Sequence, residues 1–269
     1  MEPRQKPLNL ELEYVFNMIK RTSYLLGILF CLIACNSESV GDCFQTEGAI
    51  IEKSYDLATF SEIRIVGEVS LVIKQGDVQE VLLETGENLL NDVYVSIEDE
   101  TLIIKDENKC NLFRDYGLTK ATVTVPNLVR IRNSSTYDVH SEGVLQFPEL
   151  ILVSNTSGGI EDVRKGGDFY INVECEELLI SANGQSVFYI NGHANKATIS
   201  FTDENPRFEG RNLMVNVLEV SQVSANDMIV NPQEEIFGSI RGTGNVISVH
   251  RPEIVDVEEI FTGRLLFQD

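Results

Sequence analysis

Residues 179–190 read LISANGQSVFYI. A short apolar strand, Leu179-Ile-Ser, runs into a small polar turn, and a second strand, Val187-Phe-Tyr-Ile, leaves it. β-Branched and aromatic runs of this length fit a pleated, half-buried surface, and Asn-Gly forces a tight reversal between them. The unit recurs in VRIRNSS (129–135), LVSNTSGG (152–159), ISFTDEN (199–205), LEVSQVSAN (218–226) and GSIRGTGN (238–245). A second strand usually follows, at Asp138-Val, Ile160-Glu-Asp-Val, Met228-Ile-Val and Val246-Ile-Ser-Val. Anchored on Ile131, Val153, Ile180, Phe201, Val220 and Ile240, the spacings are 22, 27, 21, 19 and 20 residues. One strand–turn–strand unit about every 20 residues is the mark of a stacked solenoid, in which no coil can bury its apolar side alone. The competing reading is an antiparallel meander or sandwich with similar turn spacing.

Outward from this repeat the chain stays β-rich. Ile63-Arg-Ile-Val, Val69-Ser-Leu-Val-Ile, Val81-Leu-Leu-Glu, Val93-Tyr-Val-Ser-Ile and Leu102-Ile-Ile are short strands punctuated by Gly, Asp and Asn. Glu87-Asn-Leu-Leu-Asn is the one helical turn expected. The fold class read from these patterns is all-β: a β-helix-like solenoid at 121–269, preceded by an N-terminal β-rich subdomain at 55–120.

The N-terminus carries a different signal. Lys20-Arg21 precede eleven mostly apolar residues, Tyr24 to Ala34. That run is too short to span about 30 Å of hydrocarbon as a helix, and it reads as an export signal. Leu32-Ile-Ala-Cys35 resembles the lipobox of bacterial lipoproteins, which implies cleavage after residue 34 and lipidation of Cys35. Residues 1–34 are therefore the expected signal peptide and 35–54 a lipidated tether. Glu2, Glu11 and Glu13 fit no signal, so translation is expected to begin at Met18.

The chain of 269 residues holds 42 acids against 21 bases, a net charge of −21. That argues against nucleic acid and against polybasic contact with anionic lipid, both of which need clustered cations. No cofactor motif is present. No metal site is expected: there is no C-x₂-C, and His140, His193 and His250 are far apart. Outside the cytoplasm disulfides persist. Cys43 and Cys110, in polar loop-like contexts, form a candidate bridge, and Cys175 reads as a strand residue with a free thiol.

Cys43-Phe, Phe60-Ser-Glu-Ile, Val72-Ile-Lys-Gln-Gly-Asp, Glu87-Asn-Leu-Leu, Cys110-Asn-x-Phe-Arg, Val123-Thr-Val-Pro-Asn-Leu and Arg241-Gly-Thr-Gly-Asn-Val, in that order, resemble the DUF2807 family. This is the "putative auto-transporter adhesin head GIN domain" family, common in Bacteroidetes lipoproteins. The resemblance covers residues 43–267 as one continuous unit. It implies a β-helix-like fold, a place on the cell envelope, and cysteines at the positions of Cys43 and Cys110.

The function expected is non-enzymatic. A lipoprotein anchored in the outer membrane, facing periplasm or surface, would bind an extracellular glycan or host protein along a rigid repeat surface, with self-association as a further prospect. Tyr137, Phe188, Tyr189 and Phe208 are the candidate ligand contacts. The alternative is a polysaccharide lyase or hydrolase. Its carboxylates would be Asp138, Asp162, Asp203 and Asp227, which otherwise read as solvated turn acids.

Overall fold

The computed structural model describes residues 16–23, 45–108, 110–112, 114–157 and 163–268. The signal cleavage site, Cys35 and Cys43 lie outside them. Residues 16–23 form a short helix, and among the described residues no helix is long and apolar enough to cross a membrane.

Seventeen strands follow: β1 (Ile50–Tyr55), β2 (Glu62–Gly67), β3 (Val69–Gln75), β4 (Glu80–Gly86), β5 (Val93–Glu98), β6 (Thr101–Asp106), β7 (Thr119–Val125), β8 (Arg130–Ser135), β9 (Val139–Leu145), β10 (Glu149–Ser154), β11 (Phe169–Ala182), β12 (Val187–Phe201), β13 (Arg207–Gln222), β14 (Met228–Ile240), β15 (Val246–Ser248), β16 (Ile254–Glu259) and β17 (Leu265–Phe267). A 3₁₀ turn at Leu90–Asp92 occupies the expected helical turn.

The strands stack in two parallel walls. The first runs β6, β2, β8, β10 and then the C-terminal halves of β11 to β14, ending at β16. The second runs β7, β3, β9 and the N-terminal halves of β11 to β14, ending at β15 and β17. The chain crosses from the first wall to the second at polar corners, and within each of β11 to β14 it returns by a bend inside one long strand. The fold is thus the all-β solenoid that the repeat predicts.

Alternation explains the two faces of each wall. In β11 the order FYINVEC puts Phe169, Ile171, Val173 and Cys175 inward and Tyr170, Asn172 and Glu174 outward. Parallel in-register stacking then sets like residues over one another about 4.8 Å apart. Phe169 and Phe188 stack at 4.6 Å between centroids, and Phe201 leans on Phe188. On the first wall the inner ladder is Leu102, Ile63, Ile131, Leu152, Ile180, Ile199 and Val220.

That ladder corrects the anchors read from sequence. Ile131, Ile180 and Val220 are true partners. Val153 is displaced by one residue from Leu152, Phe201 by two from Ile199, and Ile240 by two from Gly238. Turn residues drew those anchors, whereas wall register fixes the pairing. The strand expected at Ile160-Glu-Asp-Val falls largely outside the described residues: that is so of 160–162, while Val163 belongs to no strand and the wall strand begins at Phe169.

β2 sits between β6 and β8, so the first coil in sequence is not the first in space. Antiparallel β4 and β5 cover β7 and β6 at that end of the stack, and β1 adds to β4.

Candidate functional site

The outward face of the second wall carries a stripe built by register. His140 of β9, Tyr170 of β11 and Tyr189 of β12 are consecutive partners. Their rings stack face to face, His140 on Tyr170 at 4.7 Å and 5°, Tyr170 on Tyr189 at 4.7 Å and 9°. Tyr170 and Tyr189 are each 37% exposed. Stacking hides the ring faces against one another and presents ring edges and hydroxyls to solvent. The Tyr170 phenol is held above its ordinary pKa, first by burial and then by Asp168, Asp138 and Tyr189, so it stays protonated as a donor.

Two residues along each strand, on the same face, lies an amide ladder. Asn191 Nδ2 donates to Asn172 Oδ1 at 3.2 Å, and Asn212 Nδ2 to Asn191 Oδ1 at 3.3 Å. Each amide keeps further donors and acceptors for a ligand. Aromatic edges, phenols and amides therefore repeat at the strand spacing, about 4.8 Å. Such a surface can hold a long ligand with alternating apolar and hydroxyl-rich faces.

The aspartates proposed for catalysis have other work. Asp138 Oδ1 accepts the Asp168 N–H at 2.9 Å, and Asp168 Oδ1 in turn accepts the Val187 N–H at 2.7 Å. Asp227 Oδ1 accepts the Asn245 N–H at 2.8 Å, and Asn245 Oδ1 accepts the Arg264 N–H at 3.0 Å. Each is a corner residue that receives a backbone donor from the next coil. Burial raises the pKa of Asp168, the Val187 N–H lowers it, and Asp138 raises it. Asp203 binds the neighbouring Glu204 N–H at an exposed turn, and Asp162 lies outside the described residues.

Of the ligand contacts expected, only Tyr189 stands in the stripe. Phe188 and Phe208 are 0% and 1% exposed and are core residues, because alternation from Tyr189 and Glu209 turns them inward. Tyr137 is half-buried at a corner against Gly117, its pKa raised by burial and by Glu68. Cys175 is a buried free thiol with its pKa pushed up to about 11. Cys110 is not a free thiol, and Cys43 lies outside the described residues. Among the described residues no group of three or more His, Cys, Asp or Glu could hold a metal ion.

His140, Tyr170 and the asparagines escaped the sequence reading, although one signal was present. The tetrapeptide FYIN occurs at both 169–172 and 188–191. Aligning the second strand of each unit on it would have placed both tyrosines and two asparagines in one register.

Comparison with known proteins fits this architecture. A "putative adhesin" from Bacteroides fragilis superposes with a TM-score of 0.73 at 21% identity, over 83% of this chain and 99% of the other. A "putative adhesin" from Parabacteroides merdae gives 0.56 at 15%, over 82% and 97%. A "putative lipid binding protein" from Parabacteroides distasonis gives 0.59 at 13%, over 82% and 98%. At these identities the likeness is one of fold. No curated protein matches the chain. The family described as "Putative auto-transporter adhesin, head GIN domain" (DUF2807) matches residues 59–252, and the chain belongs to that family.

Proposed function

We propose that the chain is a non-enzymatic, lipid-anchored adhesin of the outer membrane that binds an extended glycan along the second wall. The observation carrying this reading is the exposed His140–Tyr170–Tyr189 stack with the Asn172–Asn191–Asn212 ladder beside it. Phenols and amides suit sugar hydroxyls as donors and acceptors. Family membership supports an adhesive role at the envelope. Lipidation at Cys35 and a Cys43–Cys110 bridge belong to the same reading. Both are tested by mass spectrometry of the protein isolated from cells. A diacyl- or triacyl-cysteine at its N-terminus is expected, and any other N-terminus refutes the anchor. A protein partner is the other occupant the stripe would accept, and a polysaccharide-cleaving enzyme is the reading to defeat.

The test is a glycan-array and matrix-protein screen of the purified chain beside a reducing-sugar release assay on the same glycans. Saturable glycan binding without product is expected, with at least a tenfold loss in Tyr170→Ala and Tyr189→Ala. Product release, or binding indifferent to both substitutions, overturns the proposal.

A further inference from the structure

The outward face of the first wall carries a cluster of the opposite chemistry. Register sets Arg64 of β2 beside Arg132 of β8, and Glu62 beside Arg130. Three of the 21 bases of a strongly acidic chain therefore share one patch. Arg130 Nη1 pairs with Glu62 Oε1 at 2.6 Å. Arg64 Nε donates to Ser134 Oγ at 3.4 Å. Among the described residues Arg132 has only neutral hydrogen-bond partners and no ion pair: its Nη1 donates to Asn155 O at 3.0 Å and Asn155 Oδ1 at 3.2 Å.

Arg132 is half-buried, and its pKa is lowered first by burial and next by Arg64 and Arg130. Glu62 offsets this only in part. A guanidinium in that position is charged, partly desolvated and crowded by like charge, which is costly unless an anion completes it. The three arginines line an open pocket of about 340 Å³, together with Glu62 and the Thr101 hydroxyl. Its size lies within the range of small-ligand sites, about 300–1,000 Å³. Glu98 and Asp99, on the exposed β5–β6 turn, also line it. Those acids disfavour a second negative charge, so the pocket suits one acid group on an otherwise neutral molecule.

We propose that Arg64, Arg130 and Arg132 form an oxyanion pocket that takes one carboxylate or sulfate group; its assignment to an acidic sugar rests on the glycan reading of the proposed function. Planar guanidinium forks match such groups with paired hydrogen bonds, which an ammonium cannot do. The site lies on the opposite wall from the aromatic stripe and stands or falls independently of it.

The test uses the full chain, purified in detergent, at a constant ionic strength of about 0.15 M. Remote acids are then screened beyond about 8 Å while contact pairs survive. The probes are glucuronate, glucose 6-sulfate, glucose, inorganic sulfate and inorganic phosphate, and the readout is the arginine Nε–H cross-peaks in ¹H–¹⁵N spectra. Glucuronate or glucose 6-sulfate is expected to shift the Arg132 and Arg64 peaks saturably, with glucose silent. Arg132→Gln and Arg64→Gln are each expected to weaken binding at least tenfold, while Arg241→Gln, at a distant exposed corner, leaves it unchanged. The wild-type titration decides the matter even if a variant fails to fold. Shifts that rise linearly like those of added NaCl overturn the site. Saturation by inorganic sulfate or phosphate without response to either acidic sugar overturns the sugar assignment. Binding unaltered in both variants overturns the residues named.

Discussion

The coil of β2 and β3 and the coils of β11 to β14 share one geometry but are assembled differently. From Ile131 onward, successive ladder partners Leu152, Ile180, Ile199, Val220 and Gly238 are 21, 28, 19, 21 and 18 residues apart. Each coil lands on the one just made. Ile63, by contrast, stands between Leu102 and Ile131, both far along the chain. The β2–β3 coil must wait for two later segments to close around it. Loop closure costs entropy before such contacts reward it, so this end is the slower to form.

The ends also differ. At the β6–β7 end, antiparallel β4 and β5 pair with the outermost coil. At the other, β16 and β17 each have a partner on one side only among the described residues, and Asp256, Glu258 and Glu259 sit on that edge. Charge guards the β16 edge against strand addition, while at the other end the outermost edges pass to β1 and β5.

The largest effect expected comes from the inner ladder. Ile63 and Ile199 are both fully buried, one in each region. Ile63→Ala and Ile199→Ala should each cost ~2–5 kcal/mol. If the stack is one cooperative body, both lower the midpoint of a single urea transition. A separate early transition for Ile63→Ala alone would divide the molecule in two.

Next come two glycines that let coils touch. At Gly67, φ is +84° and an added Cβ would lie 2.1 Å from Asp106 O; at Gly192, φ is +113° and the Cβ would lie 1.9 Å from Val173 O. Alanine at either site should cost ~2–4 kcal/mol through strain and displaced backbone. Thermal melts of both variants measure it. A mild effect at Gly67 with a severe one at Gly192 would show a looser junction around the β2–β3 coil.

Smaller again is the corner ladder of the regular region. Asp138→Ala removes the acceptor of the Asp168 N–H and should cost ~1–3 kcal/mol, whereas Asp138→Asn, which keeps an acceptor oxygen, should cost less. Equal losses in the two variants would argue that charge rather than the hydrogen bond matters.

The smallest effect is a pH dependence. Burial raises the carboxyl pKa of Asp168 above its unfolded value. Between those two values the folded chain binds the extra proton, so this group's contribution falls as pH rises through that window. Asp168→Asn keeps the acceptor for Val187 and removes this opposing slope, so the loss of stability on acidification should become steeper along the acid limb of the stability–pH curve. An unchanged limb would remove Asp168 from the account.

Much of the fold was legible because strand and turn chemistry is local. The polar corners, the short apolar strands and the period near 20 lie open in LISANGQSVFYI and its relatives. The anchors slipped at Val153, Phe201 and Ile240 because turns vary in length while ladders cannot. The candidate site was less legible. The sequence singles out Tyr189 but groups Phe188 and Phe208 with it, since composition alone does not say which of two adjacent aromatics faces inward.

Sequence by itself determined that this chain is a stack of β coils with acidic surfaces, because alternation and turn residues act within a few positions of one another. Only the tertiary structure decided that β2 lies between β6 and β8, that His140, Tyr170 and Tyr189 form one stripe, and that Arg64 and Arg132 stand side by side. Those relations depend on register between distant strands, where one residue of slip turns every side chain to the other face.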